Sequence, residues 1–348
     1  ATGATINRLP VLLLAGDIFA KRNVSPVLQQ LESNSSQDIS VNDCFKPISK
    51  YWDRINRPEQ LLSSLPEVMR VLISPSQTGT VMLSLPQDVQ SESFDFPNNL
   101  FKKKVWKIQR QRPDKEIIKR AVEWIKKSKK PLIIAGGGIH YSEATGELQK
   151  FINTTNVPIA ETFAGKGALK YNDSHQLGAI GATGTFGAVK ISKESDLIIG
   201  IGTRYTDFTT SSKTAFQNKN VKFINININE FDAAKNGAVM LQGDAKEILK
   251  ELNISLSKYK VDNKYSNEVK KLNLKWDDIV SKIYNYRNPK ILSQGEIIGA
   301  VNNFMDEKDI VVCAAGSLPG DLHKLWRTKD HKGFHLEYGY SCMGYEIA

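Results

Sequence analysis

Between residues 114 and 256 short runs of branched aliphatic residues alternate with amphipathic stretches, and this rhythm limits the fold more than any other feature. A helix over Lys115–Lys127 leads to an all-apolar run, PLIIA at Pro131–Ala135, and then to Gly136-Gly137-Gly138. A helix over 142–153 leads to a second run at 157–160. A passage containing Gly178, Gly181, Gly184 and Gly187 precedes a third run at 196–200, which ends in Gly202-Thr203-Arg204. VKFINININ at 221–229 alternates with a period of two, and Gly243-Asp244-Ala245 opens a last helix. Strands alternating with helices at this spacing predict a parallel, doubly wound sheet.

Two further α/β blocks flank this one, and the expected organisation is 1–90, a linker at 91–113, the central domain at 114–256, a connector at 257–288 and a last domain at 289–348. In the first block, residues 1–5 read as a helix start or glycine turn, and Val11–Asp17 as a buried strand ended by a Gly-Asp turn. A polar stretch with helical fragments covers 25–42. Pro58 stands near the first position of a helix with an apolar stripe at Leu61, Leu62, Leu65, Val68, Met69 and Leu72. A strand over 79–86 is halted by Pro86. Residues 91–113 gather Ser, Asp, Pro and Lys without periodicity, which is linker composition. The connector is rich in Lys and Tyr and carries a predicted helix around 269–284.

The last block begins with Ser293 and Glu296, a capping-box pair for a helix over 295–304. The run Ile310-Val311-Val312 then predicts a buried strand, followed by Ala314-Ala315-Gly316-Ser317 and a helical segment carrying Leu322, Leu325 and Trp326. Small residues after a strand let backbone amides approach a ligand, and the next helix adds its N-terminal partial charge. That arrangement suits a phosphate or diphosphate. A second run, 334–340, leads to SCMGYEIA at 341–348, read as an uncapped apolar helix start. The first and last domains are therefore expected to be incomplete.

Composition serves mainly to exclude. A length of 348 residues implies more than one core. The formal charge of +10 is spread out, and the lysine groups at 102–104 and 126–130 are too short and too poor in aromatics for a nucleic-acid surface. Cys44, Cys313 and Cys342 lie far apart, without metal-ligand or disulfide-framework spacing, which fits a reducing cytoplasm. No run approaches the about 18 apolar residues of a membrane span.

Several motifs leave their chemistry open. Gly136–138 after a strand either cradles a nucleotide phosphate, with Glu161 as ribose partner, or serves packing, since Tyr141 breaks the dinucleotide fingerprint. Arg204 either clamps an anion or is an ordinary surface arginine. Asn225, Asn227 and Asn229 share a strand face, where one either meets a ligand at the strand's end or all serve local hydrogen bonding. His140, His175, His323, His331 and His335 lack ligand spacing and read as solvated or core histidines, and Ser317 lacks the setting of a hydrolase nucleophile.

Taken together, the three blocks resemble the thiamine-diphosphate enzymes of the acetolactate synthase type, built from a pyrimidine-binding domain, a central doubly wound domain and a diphosphate-binding domain. The residues that carry the resemblance are RLPVLLLAGD at 8–17, DCFKP at 43–47 and GTVMLSLPQDVQ at 79–90. In the middle they are PLIIAGGG at 131–138, GATGTFGA at 181–188, SDLIIGIGTRYTDF at 195–208 and LQGDA at 241–245. AAGSLPGDLHKLW at 314–326 and FHLEYGYSCMGYEIA at 334–348 are similar to members that open a polyhydroxylated cyclic dione hydrolytically in inositol catabolism. Acetolactate synthases carry Gly-Gln-His where Gly316-Ser317-Leu318 stands here.

The resemblance implies three doubly wound parallel-sheet domains, thiamine diphosphate and Mg²⁺ as cofactors, a small polyhydroxylated cyclic dione as substrate, and a cytoplasmic homodimer or homotetramer. Gly316, Ser317 and Leu318 match the loop that touches the diphosphate. Met343 matches the apolar residue that props the bent cofactor, with Cys342 beside it. Phe45 and Lys46 match positions near the substrate. The family's activating glutamate falls upstream of Ala1 and its metal-binding segment beyond Ala348, so no catalytic or metal residue is assigned, and the chain as it stands is expected to be inactive. FAD is not expected, because Ile226 to Asn229 read Ile-Asn-Ile-Asn where acetolactate synthases have Ile-Asp-Ile-Asp. The alternatives are an acetolactate synthase-like decarboxylase or carboligase, or a nucleotide-binding module built on the central domain.

Overall fold

The computed structural model describes residues 1–287, 290–337 and 339–348. The chain is α/β with parallel sheets and divides into two compact units, Ala1–Gln109 and Arg110–Ala348.

In the first unit, helix α1 (Thr2–Asn7) precedes strand β1 (Val11–Asp17). A 3₁₀ segment over Val41–Ile48 leads to β2 (Tyr51–Arg54), helix α2 (Leu61–Leu72) and β3 (Thr80–Pro86). The strands form one parallel sheet in the order β1-β3-β2. Pro58 opens a 3₁₀ turn directly before α2, and the helix buries Val68 and Val71 against Ile55, Val81 and Leu83. Strand β1 departs from the fully buried strand expected of VLLLAGD. It is an edge strand with alternating burial, so Leu12 and Leu14 are exposed while Leu13 and Ala15 are partly covered. An apolar run cannot reveal whether both faces will be covered.

The second unit holds a six-stranded parallel sheet in the order β6-β5-β4-β7-β8-β9. Its elements are α3 (Lys115–Lys127), β4 (Pro131–Ala135), α4 (Gly138–Tyr141), α5 (Thr145–Thr155), β5 (Ile159–Glu161), β6 (Gln176–Ala179) and α6 (Phe186–Glu194). They continue with β7 (Leu197–Ile201), α7 (Asp207–Thr210), β8 (Lys222–Asn227), α8 (Glu230–Ala233), β9 (Val239–Gln242) and α9 (Ala245–Ser255). Strands β4 and β7 are buried along their whole length, as expected where parallel strands are covered on both faces. Asp114, Thr185, Asn229 and Asp244 each accept a backbone amide at the start of a helix, which fixes where α3, α6, α8 and α9 begin.

Helix α10 (Asn263–Tyr284) joins two cores: Tyr265 and Val269 pack in that of the large sheet, Val280 and Tyr284 in a smaller one. The smaller core is completed by α11 (Gln294–Phe304), β10 (Val311–Cys313), α12 (Ser317–Leu325) and β11 (Phe334–Leu336), with β10 and β11 paired in parallel. The Ser293–Glu296 capping box forms as the sequence predicts. Gly299 is required where α11 crosses α10, since a Cβ there would lie 2.5 Å from Tyr284 Cγ. Residues 341–348 do not continue as the expected helix. Ser341 at φ 53° and Gly344 at φ 94° turn the backbone out of a helical path.

Candidate functional site

Strand β10 delivers residues 314–316 to the start of α12, and Gly316 makes the turn at φ 121°, ψ −167°. That combination belongs to glycine. Among the described residues, its chain neighbours aside, no atom lies within 4 Å of where a Cβ would stand, so the space beside the Gly316 backbone is open. Gly316, at the N-cap of α12, makes no side-chain cap. The amides of Ser317 and Leu318 lie in the first turn, where no intrahelical acceptor exists, whereas Pro319 has no amide hydrogen to offer. An open glycine, two first-turn amides and the positive end of a nine-residue helix form a donor set that fits the oxygens of a diphosphate.

Strand β11 lies beside β10 with Leu336 opposite Cys313, so both strands end at the same edge of their sheet. The Gly316–Leu318 turn and the segment carrying Cys342 and Met343 therefore leave from that one edge. Leu318, Cys342 and Met343 are all exposed. The Cys342 thiol is pushed above its ordinary value, first by its hydrogen bond to the Glu337 carboxylate. Cys313, at the end of β10, is buried, and burial pushes its thiol up to about 12, which makes it inert as a nucleophile. His335 Nε2 lies 2.5 Å from Tyr345 Oη and ties the end of the chain back to β11.

Phe45 and Lys46 belong to the first unit, on the 3₁₀ segment Val41–Ile48 that leads into β2. Lys46 Nζ pairs with Asp43 at 2.7 Å and sits 4.3 Å from the centre of the Trp52 ring. Arg54 holds the turn down by donating to Asp43 and to Asp17, each at 2.7 Å. Burial works to raise the Asp43 carboxyl, but Lys46, the Ser40 amide and Arg54 outweigh it and lower it to about 2.

The glycine turns of the large sheet meet each other. A Cβ on Gly136 would stand 2.3 Å from the Gly202 carbonyl oxygen, and one on Gly138 2.6 Å from the Gly202 Cα. These glycines allow the loops after β4 and β7 to pack backbone against backbone. Asn225 donates to the carbonyls of Ala233 and Lys235, Asn227 donates to that of Thr203, and Asn229 caps α8. Lys235 donates to the Arg204 carbonyl at 2.7 Å. Glu161 is buried, accepts from the Leu169 amide at 3.1 Å, and is raised above its usual range by burial.

The sequence reading passed over the group that joins the large sheet to α12. Lys166 is buried in the loop after β5 and donates to the His323 carbonyl at 2.9 Å. The fully buried His323 ring stacks on Phe163, with its Nε2 3.1 Å from the Glu161 carbonyl and its Nδ1 2.8 Å from Thr183 Oγ1. His331 Nδ1 meets the Gly167 carbonyl at 2.9 Å, and the Tyr171 amide donates to that of Thr328. A lysine between two glycines, Gly165-Lys166-Gly167, is the one local hint of this junction. Among the described residues no three His, Cys, Asp or Glu side chains gather as a metal site. No helix there is long and apolar enough to cross a membrane.

Residues 118–252 match the family model of the thiamine pyrophosphate enzyme central domain. The whole chain is 46% identical to a 3D-(3,5/4)-trihydroxycyclohexane-1,2-dione hydrolase of Bacillus cereus and to one of Bacillus anthracis, covering 58% of each. It is 45% identical, with the same coverage, to a protein of that name from Clostridium botulinum. The chain thus spans 58% of the length of the curated relatives it matches. Residues 118–252 thus form a thiamine pyrophosphate enzyme central domain, and the chain is similar along its full length to the dione hydrolases that carry that name.

Proposed function

We propose that this protein acts in the thiamine-diphosphate-dependent hydrolysis of a carbon–carbon bond in trihydroxycyclohexane-1,2-dione, with 5-deoxy-glucuronic acid of myo-inositol breakdown as product. The observation that carries the reading is the 46% identity along the entire chain to proteins named for that dione. Addition of one water across the bond between the two carbonyls yields one carboxylic acid and one aldehyde, so no oxidant is required.

In this reading the amides of Ser317 and Leu318 hold diphosphate oxygens, and the bare Cα of Gly316 lets them approach closely. Met343 offers an apolar surface to the cofactor, with Cys342 beside it, and Phe45 and Lys46 stand near the substrate. Thiamine diphosphate, when bound, supplies the electron sink that the bond cleavage needs. Mg²⁺ accompanies it, because a diphosphate held by two amides and a helix end still carries charge to be balanced. We assign no described side chain to the metal. The protein is expected in the cytoplasm as a homodimer or homotetramer, which light scattering would size.

The test is an assay of the full-length protein, of which the 348-residue chain is expected to be an inactive part, with thiamine diphosphate and Mg²⁺ on the cyclic dione and, in parallel, on pyruvate. Acid formation from the dione alone supports the proposal. Turnover of pyruvate alone would replace it with an acetolactate synthase-like activity. Calorimetry with ADP and NAD addresses the remaining alternative, a nucleotide-binding module.

A further inference from the structure

Helix α12 carries the Gly316–Leu318 turn at its N-terminus, yet the side chain that anchors it lies near its other end. His323 is completely buried, and its ring is held on three sides by the large-sheet domain. The Glu161 carbonyl can only accept, so the proton sits on His323 Nε2 and the bond there is 3.1 Å. Nδ1 is then left to accept from the Thr183 hydroxyl at 2.8 Å. Phe163 stacks on the ring with centroids 4.0 Å apart. One turn closer to Gly316, a Cβ on Gly320 would already sit 3.2 Å from Thr183 Cγ2, so the absence of a side chain there lets Thr183 approach the helix. Lys166 grips the backbone of the same residue through the His323 carbonyl. Thr183 itself lies in the GATGTFGA turn, for which the proposed reaction provides no role.

We propose that Thr183 and His323 form a latch by which the large-sheet domain sets the position of α12, and with it the Gly316–Leu318 turn. Both are positioning residues: neither touches the open space beside Gly316. A helix is stiff over nine residues, so a grip at His323 fixes the direction in which the Ser317 and Leu318 amides point. The consequence for cofactor binding rests on reading that turn as the diphosphate cradle.

The test uses the 348-residue chain with Thr183→Val, which keeps the shape and removes the hydroxyl, and Thr183→Ser, which restores it. Amide hydrogen exchange over 317–325 is read against strands β4 and β7. Thr183→Val is expected to speed exchange in α12 about tenfold, through the loss of one buried hydrogen bond, with the strands unchanged and Thr183→Ser close to wild type. Unchanged exchange in α12, or equal acceleration in the strands, would overturn the latch. Titration of the full-length protein carrying the same substitutions with thiamine diphosphate and Mg²⁺ separates the two readings. If α12 loosens and affinity falls, both stand. If α12 loosens and affinity holds, the latch stands and the turn is not the cradle.

Discussion

Lys166 Nζ lies 2.9 Å from the carbonyl oxygen of His323, 157 residues further along the chain. Burial lowers the lysine to about 8, against the pull of the nearby Glu161 carboxylate, and the Phe334 ring lies 5.6 Å from the ammonium. A charged donor in that position joins the loop after β5 to α12 more strongly than a neutral one.

Replacing Lys166 with Met is therefore expected to cost about 2–3 kcal/mol in urea unfolding at pH 7, the range for losing a charged hydrogen bond. Because the lysine is lowered from 10.5, the unfolded chain binds more protons between pH 8 and 10.5. The contribution of Lys166 to stability thus rises as pH climbs through that window and is reduced below it. A Lys166→Met chain should lack that rise, and identical pH slopes in the two chains would contradict the assignment.

The opposite end of the pH scale probes His323. Burial, with the Lys166 charge second, lowers its imidazole from 6.5 to about 3. Its stabilisation is complete above pH 6.5 and is lost as pH falls toward 3, because the unfolded chain takes up the proton first. From pH 6.5 to 5 the loss amounts to about 2 kcal/mol at 1.36 kcal/mol per unit. His323→Phe should be less stable at pH 7 and show a flatter profile over this interval, measured by urea midpoints.

How much of this was legible beforehand depended on sequence distance. The boundaries of α3 and β4, and the Ser293–Glu296 box, follow from cues within a few residues, and they appear where the sequence puts them. The Gly316 turn was readable for the same reason: strand, small residues and helix are contiguous. The grip on His323 was not, since its partners Glu161, Lys166 and Thr183 come from the large sheet, 140 or more residues earlier in the chain, and no periodicity links them. The exposed face of β1 and the turns at Ser341 and Gly344 escaped for a related reason. An apolar run looks the same whether or not something covers it.

Gly316→Ala tests the proposed cradle. The added methyl meets nothing within 4 Å, so any effect arises from the backbone, which would have to leave φ 121°. The strain is about 1–3 kcal/mol, and relieving it re-aims the Ser317 and Leu318 amides. Calorimetry on the full-length protein should show thiamine diphosphate binding weakened about tenfold or more, the equivalent of about 1.4 kcal/mol. Wild-type affinity in this variant would move the diphosphate elsewhere.

In the first unit, Arg54→Met would leave Asp17 buried without its cation. Burial works to raise Asp17, and the hydrogen bonds of Ser40, Ser84 and Arg54 overcome it to hold the carboxyl below its usual range. Breaking such a pair from one side costs about 3–5 kcal/mol. Hydrogen exchange should accelerate in β1, β2 and β3 and release the turn bearing Phe45 and Lys46, while β4 and β7 keep their protection. Uniform acceleration across both units would show that the cluster is not local to the first sheet.

The close backbone packing of the second unit gives the sharpest contrast between two glycines. A Cβ on Gly165 would stand 2.0 Å from the Ala135 carbonyl oxygen and 2.6 Å from its carbon, both backbone atoms of a buried strand. Neither can move without breaking β4 from its neighbours, so Gly165→Ala is expected to cost about 4 kcal/mol or more and to lower the soluble yield. Gly146 sits exposed in the first turn of α5 with nothing within 4 Å of a Cβ. Gly146→Ala should instead add about 0.5–1 kcal/mol, the helix-propensity difference. Urea melts of the two variants measure both, and a well-folded Gly165→Ala chain would mean that the loop after β5 lies further from β4, and with it the Lys166 that reaches α12.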